Sequence, residues 1–507
     1  MHTDHGSAGT APRRRPHRRE PRSARRLPIS IALLACTHGA LPAQRSVTVA
    51  PASTFEATPC PFPVLGTDST AIACGIVRVP ERWDVPGGRR IRIPVAVVRA
   101  VSPLPAPEAL VLLGGGPLPT LRMAPRLLAS PMRATRDLVL FDYRGMGAGD
   151  VVCPDVGAPY VRAMLADAPL AATLEARARL AAGCRAWADS ARVDLGAYHA
   201  RHMARDVLAI VAALRLGRWH VDALSFGTLV AQHVLRLAPP GLASVVLRGT
   251  VALDAERVPG NAVAESLEWM RRACGADPAC ATTYPAPLDD YRALYARLER
   301  SPLPVTLTPD PRVAPDGRAH VGGAALQFSV TFALYSRATL ALVPYLLRET
   351  LAGNAAPITT LVTRTIGLGQ ELSGTNWAAQ CDAMGAWAAR GDATALADPT
   401  ADYWRIELAH RCPALGVPPA PAPARRPIAS DVPTLLLVGD HDPVTPPAYA
   451  RAAAAALTRA TIVTVPGRGH EYGGACLDGI VSRFRDAPGR GVDAGCVASM
   501  PAVPFAK

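Results

Sequence analysis

The apolar and polar positions of this chain predict a sheet that begins with two adjacent strands. Residues 75–84 and 89–100 alternate between apolar and polar side chains, which is typical of the two strands of an antiparallel hairpin. Continuous apolar runs follow at Glu108–Gly116 and Arg136–Gly145. A run of this kind that ends in glycine indicates a strand buried on both faces of a parallel sheet.

Predicted helices alternate with predicted strands in the segment that follows. Apolar side chains recur on one face of Ala200–Leu216, which predicts a helix that ends at Gly217. The stretch Arg218–Leu237 predicts a short strand, a sharp turn and a helix, and Leu242–Thr250 predicts a further strand. Strands that alternate with helices favour a mostly parallel sheet covered on both faces.

The pattern changes in the second half of the chain and returns near the C-terminus. Residues 254–417 are mainly helical and show no regular alternation of strand and helix, so we expect an inserted helical lid. A proline-rich connector, Pro418–Pro427, follows, and strand and helix then alternate again. The predicted organisation is α/β, with a leader at 1–43, a core formed by 44–253 and 418–507, and the lid between the two core segments.

The first residues have the order of an export signal. Eight arginines among residues 1–26 precede the short apolar run Leu27–Cys36. The run is too short to span a bilayer. Its ending, L-L-A-C, resembles a bacterial lipoprotein box in which Cys36 is lipidated, and cleavage near Ala43 is the alternative. We therefore expect an exported protein, periplasmic or extracellular, with no integral membrane span and either free or anchored by lipid.

The positive charge of the chain does not indicate a nucleic-acid partner. The 507 residues carry a formal net charge of +13. Residues 1–26 contribute eight arginines against two acidic side chains, and the rest of the charge is spread without a basic run or interleaved aromatic residues. A nucleic-acid-binding surface normally needs such a concentration of basic side chains. Nucleic-acid binding is therefore disfavoured.

The cysteines also favour an exported protein. Apart from Cys36 there are ten, an even number that indicates disulfides in an exported chain. Pairing near neighbours in sequence joins Cys60 with Cys74, Cys153 with Cys184, Cys274 with Cys280, Cys381 with Cys412, and Cys476 with Cys496. The sequence does not establish this connectivity, and scattered buried thiols are the alternative. The pairs lack C-x-x-C spacing, so we expect neither a zinc site nor a redox motif.

One strand-to-helix turn carries a candidate nucleophile. Residues 223–227 read A-L-S-F-G, close to the pattern G-x-S-x-G of a nucleophilic serine. Such a turn lifts the Ser225 hydroxyl to the carboxyl edge of the sheet, beside a helix N-terminus that favours an anion. Ala223 replaces the first glycine and adds only a methyl group, so the turn remains feasible. An ordinary structural turn is the alternative.

Two later loops supply the groups that a serine nucleophile needs. Asp442 follows the predicted strand Thr434–Val438, and His470 follows the predicted strand Thr461–Val465. An imidazole must accept the serine proton, and a carboxylate must orient the imidazole and stabilise its cation. Serine, acid and histidine in this chain order, each after a strand, match the α/β-hydrolase arrangement. Asp440 is a competing acid, but Asp442 lies further out in the loop.

A glycine-rich loop after another predicted strand completes the candidate site. The segment L-L-G-G-G-P-L-P-T has an unencumbered backbone, so the amide of Gly116 can donate to an oxyanion. The amide of Phe226, directly after the candidate nucleophile, would be the second donor. A phosphate-binding loop is the competing interpretation, but the G-K-[ST] signature of that loop is missing from the sequence.

Together with their flanking residues, these motifs resemble a known family. The segments that carry the resemblance are LGGGP, RDLVLFDYRGMGAG, ALSFGTLVAQHVLRLAP, VPTLLLVGDHDPVTPP and GRGHEYGGAC. Over roughly residues 58–497 the chain resembles the secreted α/β-hydrolase serine peptidases of the tripeptidyl/prolyl aminopeptidase family. The resemblance implies an α/β-hydrolase fold, catalytic roles for Ser225, Asp442 and His470, and cleavage of peptides from the N-terminus without a metal or organic cofactor. Hydrolysis of esters or small amides by the same triad is one alternative, and a non-catalytic binding protein is another.

The chain departs from the family pattern at four positions. Leu118 and Ala223 stand where the family has glycines, and Asp222 stands where an apolar or aromatic residue is usual. Arg248 stands where an aspartate is common. Asp222 and Arg248 lie at neighbouring strand ends, so we expect them to pair with each other.

The resemblance also suggests roles for several charged residues. Aminopeptidases of this type hold the free amino group of the substrate with acidic lid residues. The candidates in this chain are Glu265, Glu268 and Asp382, and a surface carboxylate is the alternative for each. Asp142 and Arg144 are expected to support the oxyanion loop rather than to contact substrate. The side-chain preference and the oligomeric state are not predicted.

Overall fold

The computed structural model describes residues 54–64, 70–85, 87–258, 260–389 and 398–506. All of them belong to one unit, Thr48–Lys507. The expected leader, including Cys36, lies outside the described residues. None of the described helices is both long and apolar enough to cross a membrane.

The described residues contain eleven strands, nine of which form a central sheet. The strands are β1 (Phe55–Ala57), β2 (Ile72–Pro80), β3 (Arg90–Val98), β4 (Glu108–Leu113), β5 (Leu138–Phe141), β6 (Arg218–Leu224), β7 (Leu242–Arg248), β8 (Leu303–Thr306), β9 (Arg318–Val321), β10 (Thr434–Gly439) and β11 (Ala460–Val465). The order across the sheet is β1-β2-β3-β5-β4-β6-β7-β10-β11. Pairings from β1 to β5 are antiparallel, and those from β5 to β11 are parallel. The predicted mostly parallel sheet is confirmed.

Burial explains why some strands read as continuous apolar runs and others alternate. Strand β10 lies between β7 and β11, and all of its residues are buried. Strand β11 forms an edge of the sheet and alternates between buried Val463 and Val465 and exposed Ile462 and Thr464. A strand covered on both faces can contain only apolar or small residues, whereas an edge strand keeps one polar face.

Helices cover both faces of the sheet. They are α1 (Ala124–Leu127), α2 (Gly157–Met164), α3 (Leu170–Ser190), α4 (Ala200–Ala213), α5 (Phe226–Leu237), α6 (Ala262–Ala276), α7 (Pro278–Thr283), α8 (Pro287–Arg300), α9 (Gly323–Ala333), α10 (Arg337–Leu340), α11 (Val343–Leu351), α12 (Ala356–Gln370), α13 (Gly374–Ala388), α14 (Tyr403–Leu415), α15 (Ala422–Arg425), α16 (Pro447–Ala454) and α17 (Ala475–Asp486). Helices α4 and α5 share a hydrophobic cluster with Val221 and Leu436. Helix α17 packs on the opposite face, with Leu435 and Val463.

The helical insert lies between β7 and β10 in sequence. It contains α6–α15 and the small β8–β9 hairpin, so the predicted insert is confirmed. Two earlier helices, α2 and α3, join the hydrophobic cluster of the insert, where Tyr160 and Leu174 lie together with Trp377 and Tyr403. The helical layer is therefore built from two separate segments of the chain.

Five disulfides are present in the described residues, and they join the same pairs of cysteines that the sequence predicted. They are Cys60–Cys74, Cys153–Cys184, Cys274–Cys280, Cys381–Cys412 and Cys476–Cys496. The Cα–Cα distances lie between 5.1 and 5.9 Å, within the ordinary range for a disulfide. The bridge between residues 381 and 412 joins α13 to α14, so it fastens two helices of the insert.

Candidate active site

Ser225 occupies the turn between β6 and α5. Its backbone lies at φ 51° and ψ −120°, a region that residues other than glycine rarely adopt. The amide of Ser225 donates to the carbonyl of Arg248 at 2.8 Å. The carbonyl of Ser225 accepts from the amide and the hydroxyl of Thr228, at 2.8 and 2.6 Å. These bonds hold a sharp strand-to-helix turn of the kind that presents a nucleophile at the sheet edge.

Small residues allow the strand, the helix and the glycine-rich loop to meet at this turn. A Cβ on Gly227 would overlap the carbonyl oxygen of Leu113, so glycine is required there. A Cβ on Gly115 would lie only 3.0 Å from the Cβ of Ser225. Ala223, in contrast, is fully buried in the hydrophobic cluster beneath α4 and α5, where its methyl group has room. The departure from G-x-S-x-G is therefore compatible with the turn.

Asp442 and His470 are hydrogen-bonded to each other. The Nδ1 atom of His470 lies 2.7 Å from Oδ2 of Asp442. Oδ1 of Asp442 accepts from the amides of Val444 and Thr445, at 2.8 and 2.7 Å. Burial by itself would raise the pKa of Asp442, but the charge and hydrogen bond of His470, with the surrounding donors, bring the pKa below its usual value. An ionised carboxylate is thus placed to orient the imidazole.

Asp440, the competing acid, makes no hydrogen bond to His470 among the described residues. Its Oδ1 atom is buried and has no hydrogen-bond partner within the described ranges of the chain. The amide of Asp440 still donates to Val465 of the neighbouring strand, at 3.3 Å, so this residue continues the course of β10. Asp442 lies two residues further on, where the chain has left the sheet and turns toward the loop after β11. The loop position therefore favours Asp442 as the partner of the imidazole.

Ser225 and His470 line the same cavity, which has a volume of about 650 Å³. No hydrogen bond joins their side chains in the described part of the chain, and such bonds often form only when substrate is bound. Gly249, at φ 63°, lies under the imidazole, and a Cβ there would come within 2.8 Å of Cε1 of His470. The imidazole therefore lies at the carboxyl end of β7, beside the strand that carries the serine.

The glycine-rich loop after β4 lies at the same cavity. Gly116 lines it and has φ 111°, and Phe226 lines it as the first residue of α5. Within the described residues, neither of these two backbone amides has a hydrogen-bond partner. Both are therefore available to an oxyanion formed next to Ser225.

Asp142 supports this loop, as the sequence predicted. Its Oδ1 atom accepts from the amides of Thr120 and Leu121, at 2.7 and 2.9 Å. Burial raises the pKa of Asp142, although the backbone donors oppose the shift. Arg144 forms a buried ion pair with Asp206 and does not line the cavity. Asp142 and Arg144 therefore both have structural roles, and the Asp142 carboxylate binds the backbone at the end of the glycine-rich loop.

The three acidic residues proposed for substrate binding do not line the cavity. Asp382 is buried in a two-fold hydrogen-bonded ion pair with Arg201, at 2.8 and 2.9 Å. Glu268 pairs with Arg271 at the surface, and Glu265 is exposed in the first turn of α6. Helix packing directs these side chains into an internal ion pair or to the protein surface, so the structure does not bring them together at the cavity.

A carboxylate that the sequence analysis missed, Asp402, does line the cavity. It is the N-cap of α14, and its Oδ1 atom accepts from the amides of Trp404 and Arg405, at 3.0 and 3.3 Å. Burial raises the pKa of Asp402 to about 6, against the effect of these two amides and the Arg405 charge. The sequence signal was an aspartate directly before a helical segment, which indicates an N-cap but not the cavity that the cap faces.

The rest of the cavity wall is mainly apolar. The helical insert contributes the aromatic residues Phe328, Phe332, Tyr335, Trp387 and Trp404. Among the large apolar side chains that are exposed in the structure, Met123, Leu224 and Leu368 line this cavity, at 47%, 40% and 36% exposure. Exposed apolar surface concentrated at one site is typical of a binding groove. In the described residues no cluster of histidine, cysteine or carboxylate side chains could hold a metal.

Asp222 and Arg248 form the pair expected from the sequence. The Nε and Nη2 atoms of Arg248 donate to the two carboxylate oxygens of Asp222, at 2.8 and 2.9 Å. Both side chains are largely buried at the edge of the cavity. Leu118, another departure from the family pattern, also lines the cavity, directly after the glycines of the loop.

Comparison with known families agrees with this arrangement. Residues 108–283 match a family model described as alpha/beta hydrolase fold, and residues 398–490 match one described as TAP-like protein. The first segment contains β4–β7 with the serine turn, and the second contains β10 and β11 with Asp442 and His470. The chain has the α/β-hydrolase fold. Its C-terminal segment is TAP-like, that is, similar to the tripeptidyl aminopeptidases.

The solved structures that match this chain include one peptidase and several esterases. Proline iminopeptidase from Mycobacterium smegmatis is 14% identical, covers 84% of this chain and 98% of its own, and has a TM-score of 0.35. A thermophilic esterase from Thermogutta terrifontis is 17% identical, with 78% and 91% coverage and a TM-score of 0.32. An esterase from Exiguobacterium antarcticum is 13% identical, with 81% and 96% coverage and a TM-score of 0.35. Sequence identities and TM-scores this low do not indicate which substrate this chain binds. Curated proteins show no match to the chain.

Proposed function

We propose that the protein is an exported serine hydrolase that cleaves peptides from their N-terminus, releasing short pieces or proline-type residues. The observation that carries the proposal is the hydrogen-bonded pair of Asp442 and His470 in the cavity that Ser225 also lines. The TAP-like match of the segment that contains the acid and the histidine supports a peptidase.

The residues support an acyl-enzyme mechanism. The Ser225 hydroxyl attacks the scissile carbonyl, and its proton passes to His470, whose cation the Asp442 carboxylate stabilises. The amides of Gly116 and Phe226 donate to the oxyanion of the tetrahedral intermediate. His470 then gives the proton to the leaving amine, so the amine departs neutral and the acyl group stays on the serine. Water, deprotonated by the same imidazole, releases the acyl group and restores the hydroxyl.

Asp402 is the residue that we assign to the free amino group of the substrate. Its Oδ1 atom is occupied by the helix cap, whereas no donor to Oδ2 is present among the described residues. A carboxylate with one free oxygen in a mainly apolar cavity would bind an α-ammonium group through a charge-assisted hydrogen bond. The lid would then place the substrate N-terminus, and the distance from Asp402 to Ser225 would decide how many residues are released.

The cavity wall favours apolar substrate side chains. Aromatic residues from the insert and exposed Met123 and Leu224 from the core would gain from covering their apolar surface. The same wall would also accept an apolar acyl chain, which is the observation that supports an esterase as the second candidate. The two functions differ in whether the free amino group is needed.

Labelling and a matched substrate pair test the proposal. A fluorophosphonate probe should label the wild-type protein and leave Ser225→Ala unlabelled. A peptide amide with a free N-terminus should be cleaved, and the N-acetylated form of the same peptide should not. Rapid ester turnover without peptide cleavage would favour the esterase. Absence of both labelling and turnover would refute the proposed hydrolase activity and leave only the fold assignment.

Export is supported by five disulfides, which persist in oxidising compartments. Lipidation at Cys36 or cleavage near Ala43 would give mature proteins of different mass. Intact mass spectrometry of the protein recovered from a producing cell distinguishes these two outcomes from an uncleaved chain.

A further inference from the structure

We propose that Tyr472 is a positioning residue that fixes the acid and the histidine relative to the strand of the serine. Its hydroxyl holds Asp442, and its backbone carbonyl is held by Arg248, which is anchored on Asp222. We call Tyr472, Arg248 and Asp222 the brace. The inference deepens the proposed function and rests on it, because the brace acts through the candidate triad.

The hydroxyl of Tyr472 connects the acid to the sheet. It donates to Oδ2 of Asp442 and accepts from the amide of Gly439, the last residue of β10, at 3.2 Å. The side chain is only 4% exposed. Oδ2 of Asp442 therefore has three donors, which are His470, the Thr445 hydroxyl and Tyr472. A carboxylate with this many partners cannot rotate without losing one of them.

Arg248 connects the histidine loop to the strand of the serine. Its Nη1 atom donates to the carbonyl of Tyr472 at 2.7 Å, while Nε and Nη2 bind Asp222. Asp222 lies in β6, three residues before Ser225. The backbone carbonyl of Arg248 also accepts from the amide of Ser225, at 2.8 Å. One arginine thus makes hydrogen bonds to the nucleophile turn, to β6 and to the loop of the histidine.

The histidine loop is rich in glycine, so its conformation depends on contacts with the rest of the protein. Residues 466–474 read P-G-R-G-H-E-Y-G-G, with four glycines around His470. Glycine leaves the backbone many accessible conformations, so this loop has little rigidity of its own. Tyr472 is held at both its hydroxyl and its carbonyl, two residues after the imidazole. The position of the imidazole therefore depends on this residue.

The charges around the brace are balanced. Asp478 lies 3.6 Å from Arg248, and Arg485 lies 3.8 Å from Asp222, so two arginines face two aspartates. Each charge of this cluster has an opposite charge within 3.8 Å, which favours a positioning role over the binding of a charged substrate group. It also accounts for the two departures from the family pattern, since Asp222 and Arg248 form one pair.

Tyr472→Phe removes the hydroxyl and nothing else. We expect kcat to fall roughly three- to tenfold, the effect of one lost hydrogen bond at the reacting groups, with KM changed less than twofold. The acidic limb of the kcat/KM profile should also move to higher pH, because Asp442 would present more of its negative charge to the imidazolium. The other titratable groups near Asp442 are His441, Tyr335 and His470, and the substitution leaves all three in place.

Tyr198→Phe is the matched control. Tyr198 is also buried, and its hydroxyl donates to a carboxylate oxygen of Glu81 at 2.8 Å, but it does not line the cavity. We expect this variant to lose a similar amount of thermal stability while keeping the kcat and the pH profile of the wild type. Equal kinetic effects of the two substitutions would reduce Tyr472 to a structural residue and overturn the proposal.

Asp222→Asn tests the other end of the brace, with Asp382→Asn as its control. Both aspartates form two-fold hydrogen-bonded pairs with an arginine, but only Asp222 leads to the histidine loop. Asp222→Asn should lower kcat, and combining it with Tyr472→Phe should give less than the product of the two separate effects. Fully multiplicative effects would contradict a shared role.

Hydrogen exchange of the loop separates this proposal from the proposed function. Amides of residues 466–474 should exchange faster in Tyr472→Phe than in the wild type, and Tyr198→Phe should not change them. Failure of fluorophosphonate to label the wild type would refute the hydrolase, and the exchange rates would still decide whether Tyr472 holds the loop. Unchanged exchange in Tyr472→Phe would overturn the brace even in an active enzyme.

Discussion

Recognition of the substrate amino group by Asp402 can be tested with one isosteric substitution. Asp402→Asn keeps a carbonyl oxygen that can accept from the amides of Trp404 and Arg405, so the cap of α14 should persist. The substitution removes the charge. A hydrogen bond to a charged group contributes about 1.5–3 kcal/mol, which corresponds to a roughly 10- to 150-fold rise in KM. Because Asp402 is half-buried, we expect the lower half of this range.

The pH dependence of KM provides an independent readout. Burial raises the pKa of Asp402 to about 6. The α-ammonium group of a peptide stays protonated up to about pH 7.7. Both charges are therefore present only above the pKa of the carboxylate, and KM for a free peptide should fall as the pH rises from about 5 to about 7. The Asp402→Asn variant should lose this pH dependence of KM, because an asparagine at position 402 does not titrate between about pH 5 and about pH 7.

The assay compares one peptide amide with its N-acetylated form in steady-state kinetics across this pH range. Glu265→Gln is the matched control, because it removes a carboxylate that is exposed and does not line the cavity. The control should keep the wild-type preference for the free amino group. An Asp402→Asn variant that keeps both the preference and the pH dependence would refute the assignment and direct attention to another group.

Three further predictions concern the frame of the site. Gly227→Ala should lower the free energy of unfolding by about 1–3 kcal/mol, measured by calorimetry, because its methyl group would overlap the Leu113 carbonyl. Asp142→Asn should lower kcat roughly tenfold with little change in KM, because the amides of the oxyanion loop lose a charged acceptor; unchanged steady-state kinetics would contradict this. Replacing Cys381 and Cys412 by alanine should cost about 3–4 kcal/mol in urea unfolding, since the bridge closes a separation of 31 residues.

Local patterns in the sequence were sufficient for the sheet and for the serine turn. Strand β10 is buried on both faces, so its sequence contains only apolar or small residues and was recognisable without a structure. The strand–turn–helix at Ser225 and the loops of Asp442 and His470 were also recognisable, because each follows a strand directly. Parallel strands bring their carboxyl ends to one edge of a sheet, so the chain order of these residues carried information about their position.

The contacts of Asp222 and Arg248 could be predicted only in part from the sequence. Their expected pairing is confirmed, because both residues lie near the ends of adjacent parallel strands. A further partner of the Arg248 side chain, the carbonyl of Tyr472, comes from a loop more than two hundred residues away in sequence. A backbone carbonyl has no sequence signature, so this contact could not be predicted.

The sequence by itself determined the α/β-hydrolase architecture and the residues that could form a triad, because hydrophobic periodicity and turn composition are local properties. Only the tertiary structure decided which carboxylates face the cavity. Asp402 lines it, whereas the sequence candidates Glu265, Glu268 and Asp382 do not. It also brought α2 and α3 into the helical layer of the insert. These contacts depend on how helices distant in sequence pack against each other, and the pattern within one helix does not specify its neighbour.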